Sequence, residues 1–470
     1  MKIKLRSFQQ EANDSAIEYL ESDYNNPVAI VLPTAAGKSY CIAGIAEYHN
    51  GPVLVLQPSV DLLRQNFGKY TEDYGLPATM YSASAGTKEL SEVTFGTLAS
   101  VKKEVEELRK LKNLLVIIDE CHYKFQEKPR SEFRTFVDRL KPKKVIGLTA
   151  TPFKTVTGRK GIPSSVKLLN NLYPCYFRKL IHVTQIEELI RDGYWTPSKD
   201  ELWNFNGEGL ALNTTGHDFT AASIKKFQEV NGINNKVYLR IVSLFTNGER
   251  KNALVFLDSL EACGKMKAAL EKRLDIKVGV VDSNTPAKDR KRIVDDFKGG
   301  KTQVMLNHGI FTTGFDYPAL EAIIMGYPTN SLSLLYQMYG RGVRLHEGKK
   351  DFLFSDFCGN ITRLGHPRTL EIKDHPEIGW QVYSGSELKS GYPQFQFLTI
   401  TEEDVLLKLP TAGLEDIKFS FGKHKNRKFS WVVKRDPGYL AWIVKEQTMS
   451  EEILIQSELW LREHYFEELF

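Results

Sequence analysis

The chain has 470 residues, 42% hydrophobic and 26% charged, with 63 Lys and Arg against 58 Asp and Glu and a formal net charge of +5. That length exceeds what one hydrophobic core usually organises, so two or three domains are expected. No apolar run approaches the roughly 20 residues a membrane span needs, and the positive charge is too mild to name a partner by itself.

The opening residues, Met1-Lys-Ile-Lys-Leu-Arg6, are basic with no apolar segment behind them, which reads as an intracellular chain rather than a secreted one. Five cysteines (41, 121, 175, 263 and 358) stand far apart with no Cys-x-x-Cys pair. They are expected to be buried thiols, with no disulfide framework and no zinc. Short β-branched apolar runs recur at residues 28–32, 53–56, 93–97, 114–118 and 145–148, separated by helical stretches, which predicts an α/β domain with a parallel sheet over residues 1–185. A less regular stretch rich in Gly, Asn and Thr follows, with residues 186–245 read as a connecting or inserted segment. Similar runs return at 253–257, 278–281, 304–306, 322–325 and 352–354, predicting a second α/β domain over 246–405. From 411 to 470 the pattern breaks into a small module that mixes basic and aromatic residues.

In the first domain the run 28–32 leads into Pro33-Thr34-Ala35-Ala36-Gly37-Lys38-Ser39, and a helix-like stretch begins at Tyr40. Strand, small-residue loop and helix make a phosphate cradle: backbone N–H groups and the helix N-terminus face the phosphate oxygens, Lys38 neutralises the outer phosphates, and Ser39 can ligate magnesium. Some 80 residues on, the run 114–118 delivers Asp119-Glu120-Cys121-His122. A buried strand that ends in two carboxylates suits hydrolysis. Asp119 would hold the magnesium, and Glu120 would orient and deprotonate the attacking water.

Asp-Glu-Cys-His is similar to the box of the DEAD/DEAH-type helicases of superfamily 2, and the resemblance spans most of residues 4–365. It implies two RecA-like lobes in tandem, ATP and Mg2+ as the nucleotide and its ion, and nucleic acid as partner. Leu32 stands where the phosphate loop's first glycine is usual, a departure often seen in helicases of this type. Gln9, within Leu5-Arg6-Ser7-Phe8-Gln9, resembles the family's adenine-reading glutamine, and Arg6 is assigned to the same nucleotide site. Pro58, Ser59 and Arg64, with Thr97 and Ser100, fall in stretches similar to the strand-gripping motifs, whose hydroxyls and backbone N–H groups suit sequence-blind phosphate contacts. Thr149-Ala150-Thr151-Pro152 resembles the motif that couples hydrolysis to strand movement, and His122 and Gln337 are assigned to the catalytic set with it.

In the second domain Thr312-Thr313-Gly314-Phe315-Asp316 follows a strand, with Gly314 and Asp316 assigned to the nucleotide and Thr313 to nucleic acid. Gln337-Met-Tyr-Gly340-Arg341-Gly-Val-Arg344 has the family's arginine-finger form. Arg341 and Arg344 lie three apart and so share a helical face, and a planar guanidinium suits a phosphoryl group that gains charge in the transition state. The start of the chain, the Asp-Glu-Cys-His box and Asp356-Phe357-Cys358-Gly359-Asn360 together resemble RadD-type bacterial repair helicases, with UvsW-type phage and XPB-type enzymes as neighbours. That resemblance implies a bacterial or phage enzyme working in the cytoplasm on forked or branched DNA, beside replication or recombination proteins and with no membrane role.

The closing module resembles one found at the end of some DNA exonucleases. Lys423, Lys425, Arg427 and Lys428 would contact phosphates, while Phe421, Phe429, Trp431, Tyr439 and Trp442 would stack on unpaired bases or form the module's own core. Two alternatives to a DNA helicase stay open from sequence: an RNA helicase, and the motor portion of a restriction or nuclease system.

Overall fold

The computed structural model describes residues 4–122, 131–156, 165–171, 175–203, 205, 207–213, 218–282, 284–309, 315–375 and 379–390. In the C-terminal module it describes 418–419, 423–429, 431–432, 439 and 443. The chain opens with α1 (Ser7–Glu21) and then alternates β1 (Val28–Val31), α2 (Lys38–Tyr48), β2 (Val53–Gln57), α3 (Val60–Gly68), β3 (Thr79–Ser82), β4 (Thr87–Lys88), β5 (Val93–Thr97), α4 (Leu98–Val101), α5 (Val105–Arg109), β6 (Leu115–Asp119), α6 (Glu132–Leu140) and β7 (Lys144–Thr149). An antiparallel hairpin, β8 (Phe153–Val156) with β9 (Ser165–Leu168), precedes β10 (Lys179–Val183).

These strands form an eight-stranded sheet in the order β10-β1-β7-β6-β2-β5-β3-β4, parallel except for the β3–β4 pair. Every residue of β1, β2, β6 and β7 is buried. Helices cover both faces of such a sheet, which is why these strands read as continuous apolar runs rather than alternating ones. The order also sets the site. The ends of β1, β7 and β6 lie side by side, so the loops after residues 31, 149 and 119 meet at one sheet edge, where ligands bind in open α/β sheets.

The second half continues with α7 (Ile186–Arg191), β11 (Ser198–Leu202), α8 (Ala221–Asn231), α9 (Ile233–Thr246), β12 (Ala253–Phe256), α10 (Leu260–Arg273), β13 (Val278–Asp282), α11 (Ala287–Lys298), β14 (Val304–His308), β15 (Ala322–Met325), α12 (Leu332–Tyr339), β16 (Phe352–Asp356) and α13 (Asn360–Leu364). Six parallel strands pair in the order β11-β16-β15-β12-β14-β13. A three-stranded antiparallel sheet follows, made of β17 (Leu370–His375), β18 (Gly379–Ser384) and β19 (Glu387–Leu388).

Residues 186–245 are therefore more than a connector. They supply the edge strand of the second sheet and three helices, α7, α8 and α9, of which α9 packs against that sheet's core through Val237, Ile241 and Leu244. The sequence Ser-Lys-Asp-Glu-Leu of β11 hides this role because an edge strand can remain polar. Four cysteines are buried, whereas Cys175 is half-buried, its thiol donating to the carbonyls of Phe177 and Asn170 at 3.1 and 3.3 Å.

Taken by itself, the C-terminal module centres on Phe419, which stacks on Phe429 at 6.2 Å and sits 5.9 Å from Tyr439, with Val432 and Ile443 buried beside them. Phe429 and Tyr439 are thus core residues, and Trp431 is half-buried under the guanidinium of Arg427. Phe421 and Trp442 lie outside the described residues. Lys423, Lys425, Arg427 and Lys428 are all exposed.

Packing at the centre of the first sheet leaves no room for a side chain at Gly147, where a Cβ would meet Cys121 and Phe177 at 2.7 Å. Gly147→Ala is therefore expected to cost roughly 1–3 kcal/mol through overpacking. Thermal unfolding followed by circular dichroism should show a lower Tm, and an unchanged Tm would contradict this packing.

Candidate active site

The loop after β1 turns on two left-handed residues, Ala35 (φ 63°) and Gly37 (φ 79°), and α2 starts directly behind it. At Gly37 a side chain is excluded twice over, by the backbone angle and by Gln9, whose Nε2 lies 2.5 Å from where a Cβ would be. Gln9 is itself buried. Its amide donates to the carbonyl of Ala36 at 2.7 Å and accepts from the N–H of Arg6 at 3.0 Å, leaving one N–H and one lone pair for a base. The guanidinium of Arg6 lies over the ring of Tyr194 at 4.1 Å.

Lys38 Nζ stands 3.0 Å from Glu120 Oε1. Glu120 occupies a left-handed conformation (φ 47°) rare for a non-glycine residue, and its N–H donates to Asp119 Oδ1 at 2.9 Å. Burial lifts the Asp119 carboxyl to about 6, helped by the neighbouring Glu120 charge and opposed by Lys38. Burial acts on Glu120 in the same sense, yet Lys38 and then His122 outweigh it and hold that carboxyl below its ordinary value. Two adjacent carboxylates are thus pushed apart, the pattern expected where two acids have different tasks.

Magnesium takes hard oxygen ligands, and Ser39 and Asp119 supply a hydroxyl and a carboxylate of that kind, both tied to the amide of Asn66. The donor set fits the ion, so these residues could hold it beside the phosphates.

From Glu120 a polar network crosses between the lobes. His122 Nδ1 lies 2.7 Å from Thr149 Oγ1 and 3.4 Å from Glu120 Oε2, while its Nε2 lies 3.1 Å from the amide nitrogen of Gln337. An amide nitrogen only donates, so Nε2 must accept and Nδ1 carries the proton. Burial keeps the imidazole below its ordinary value, in keeping with this neutral tautomer, though Glu120 opposes it. Gln337 also reaches Thr151 Oγ1 at 3.3 Å, and the N–H of Thr151 donates to Thr149 Oγ1 at 3.0 Å.

Gln337 sits on α12, which leans on the phosphate loop. The Tyr336 hydroxyl is 3.3 Å from the N–H of Thr34, and Gly340 approaches so closely that a Cβ there would meet Thr34 Oγ1 at 2.5 Å. Trp195 donates to the carbonyl of Thr34 at 2.9 Å. Arg341 is buried and donates to the carbonyl of Phe315 at 2.7 Å; burial, then Arg344, pushes it down to about 9, and Glu120 and Asp316 oppose this. Arg344 pairs with Asp316 at 2.7 Å, so two residues assigned separately from sequence hold each other. Thr313 and Gly314 lie outside the described residues.

Five of the positions assigned to nucleic acid, Pro58, Ser59, Arg64, Thr97 and Ser100, lie at or just beyond the ends of the adjacent strands β2 and β5. Ser59 caps α3, accepting from the N–H of Leu62 at 3.3 Å, and Arg64 on the same helix is exposed. Gln57 and Thr97 face each other across β2 and β5, which brings Pro58 and Ser59 beside Thr97 and Ser100, whose hydroxyls lie 3.2 Å apart. Sequence reasoning missed four residues here: Asn66, Trp195, Tyr336 and Lys69. Burial lowers the Lys69 ammonium, and Asp316, Asp73 and Asp119 draw it the other way. None of the four sits in a motif, and only the folded sheet edge collects them.

Residues 2–154 match the family model described as "Type III restriction enzyme, res subunit", and residues 236–346 match "Helicase conserved C-terminal domain". Together these matches correspond to the two halves of a superfamily 2 helicase motor, and the fold is that of two RecA-like lobes in tandem. Residues 419–447 match "Exodeoxyribonuclease X-like C-terminal". The motor is similar to "Putative ATP-dependent helicase IRC3" of Saccharomyces cerevisiae, 26% identical over 78% of this chain and 54% of that one. It is also similar to "DNA 3'-5' translocase XPB2" of Sulfurisphaera tokodaii, 25% identical over 74% of this chain and 80% of that one. The match to IRC3 and to its Schizosaccharomyces pombe counterpart spans only 54% and 58% of those proteins' own lengths. In fold the motor resembles a DNA-bound Type ISP restriction-modification enzyme, LlaBIII, with a TM-score of 0.56 at 16% identity, covering 76% of this chain and 28% of that one. A fragment of a "putative HsdR subunit" of a type I restriction enzyme from Vibrio vulnificus has a TM-score of 0.54 at 19% identity, covering 77% and 66%. Among the described residues no helix is long and apolar enough to cross a membrane.

The contact between His122 and Gln337 is expected to couple the lobes energetically. Replacing each by Ala should lower nucleic-acid-stimulated turnover, and the double variant should be no worse than the more severe single one, since contacting residues are non-additive. Multiplicative losses in a double-mutant cycle on kcat would show that the two act independently.

Proposed function

We propose that this chain hydrolyses ATP to move along DNA and remodels forked or branched DNA, in the manner of the RadD-, UvsW- and XPB-type helicases. The observation that carries the reading is the gathering, at one sheet edge, of Lys38, Ser39, Asp119 and Glu120 from one lobe with Gln337 and Arg341 from the other. Lys38 sits on the phosphate side of the loop, and its pairing with Glu120 neutralises both groups until a phosphate takes over the ammonium. Glu120 is then free to orient water. Ser39 and Asp119 would hold magnesium, which offsets phosphate charge. Arg341 is assigned the role of finger, because it lies within electrostatic reach of Glu120, and Arg344 is poised behind it on Asp316.

DNA is favoured over RNA by the exonuclease-like module, whose exposed Lys423, Lys425, Arg427 and Lys428 suit a phosphate backbone. Ser59, Arg64, Thr97 and Ser100 are assigned to the translocating strand. A second reading, the motor of a restriction system, is favoured by the res-subunit match over 2–154 and by the two restriction-enzyme folds. Such a motor would respond to long linear duplex, whereas the first reading expects forked DNA to be the better activator.

Lys38→Ala and Glu120→Gln should each abolish stimulated ATP hydrolysis. They should part in binding: Glu120→Gln retains nucleotide because the loop and the magnesium ligands survive, while Lys38→Ala loses most of it. Equilibrium titration with a fluorescent ATP analogue makes the comparison, and loss of binding in Glu120→Gln would reject this division of roles.

A further inference from the structure

Asn66 lies in no recognised motif, yet it is 3% exposed and stands between the two groups assigned to magnesium. The Ser39 hydroxyl donates to its Oδ1 at 2.5 Å, and its Nδ2 donates to Asp119 Oδ2 at 2.8 Å. These directions are forced. An ionised carboxylate only accepts, so the amide must turn its NH2 toward Asp119 and its oxygen toward Ser39, which makes the hydroxyl the donor.

A serine hydroxyl has one proton and two lone pairs, and to ligate a cation it must place that proton on some other acceptor. Here Asn66 takes that proton, which leaves both Ser39 lone pairs free, and it also holds one Asp119 oxygen, while the N–H of Glu120 holds the other at 2.9 Å. A neutral amide also leaves the carboxylate's charge available, where a lysine would cancel it and an acid would repel it. Asn66 belongs to α3, fixed at its N-terminus by the Ser59 cap, so the bridge rests on a rigid element.

We propose that Asn66 is the positioning residue of the magnesium site, presetting Ser39 and Asp119 as ligands for the ion that accompanies ATP. This rests on the nucleotide-site reading above. Partners that orient metal ligands are commonly worth 10- to 100-fold in metal affinity. In the full chain, Asn66→Ala and Asn66→Leu should both raise the Mg2+ concentration needed for half-maximal binding of a fluorescent ATP analogue by about tenfold or more, while binding in EDTA stays as in the unsubstituted protein. Leucine keeps the shape of asparagine without its hydrogen bonds. Leucine restoring the unsubstituted midpoint while alanine does not would show that Asn66 only fills space and overturn the proposal. So would midpoints within twofold of the unsubstituted protein in both variants. Thermal melts run alongside identify a variant that fails to fold, in which case the other decides. Binding by the unsubstituted protein that ignores Mg2+ altogether would instead overturn the reading of the nucleotide site; Mg2+-dependent binding with unaltered variants would overturn only the role of Asn66.

Discussion

The ammonium of Lys38 and the carboxylate of Glu120 stand 3.0 Å apart at the C-terminal edge of a buried sheet, and neither charge could be left there without the other. Much of the site follows from that pair. Beside Lys38, Glu120 is held in a strained backbone conformation, burial and then the Glu120 charge displace Asp119 toward a higher pKa, and burial keeps His122 below its ordinary value. On the proposed reading, a phosphate entering the loop would compete for Lys38 and so change what Glu120 and His122 experience. That exchange is local electrostatics, and it reaches the second lobe because His122 also accepts from Gln337.

Among the described residues, α12 and the glycine behind it bring the second lobe against the loop. Gly340 must lack a side chain to pass Thr34, Tyr336 places its hydroxyl on the backbone of Thr34, and Ser333 donates to the carbonyl of Phe153 at 2.7 Å just beyond Thr149–Thr151. One helix thus touches the phosphate loop, the acidic box through His122 and the segment after β7. Movement of α12 relative to the first sheet would alter all three at once, which is the kind of bistable element that domain closure needs.

Much of this was legible in the sequence because the strands that carry the site are central and buried. The runs at 28–32, 93–97, 114–118 and 322–325 coincide with β1, β5, β6 and β15 to within a residue. Their apolar composition is dictated by helices on both faces. What could not be read were elements with other constraints: β11 is a polar edge strand, and the antiparallel β17–β19 sheet is built of mixed, half-buried strands rather than apolar runs. Asn66, Trp195 and Tyr336 were missed for a different reason. Their importance lies in which distant group they touch, 27 to 302 residues away in sequence, and no local pattern records that.

In the proposed mechanism, nucleotide hydrolysis at Lys38 and Glu120 is coupled to a grip on DNA. The deciding measurement is the steady-state ATP hydrolysis rate of the full chain, alone and with single-stranded DNA, forked DNA, long linear duplex and single-stranded RNA at one fixed salt concentration. Coupling requires a low basal rate and strong stimulation, greatest with forked DNA. A rate that none of the four nucleic acids changes would rule the coupling out.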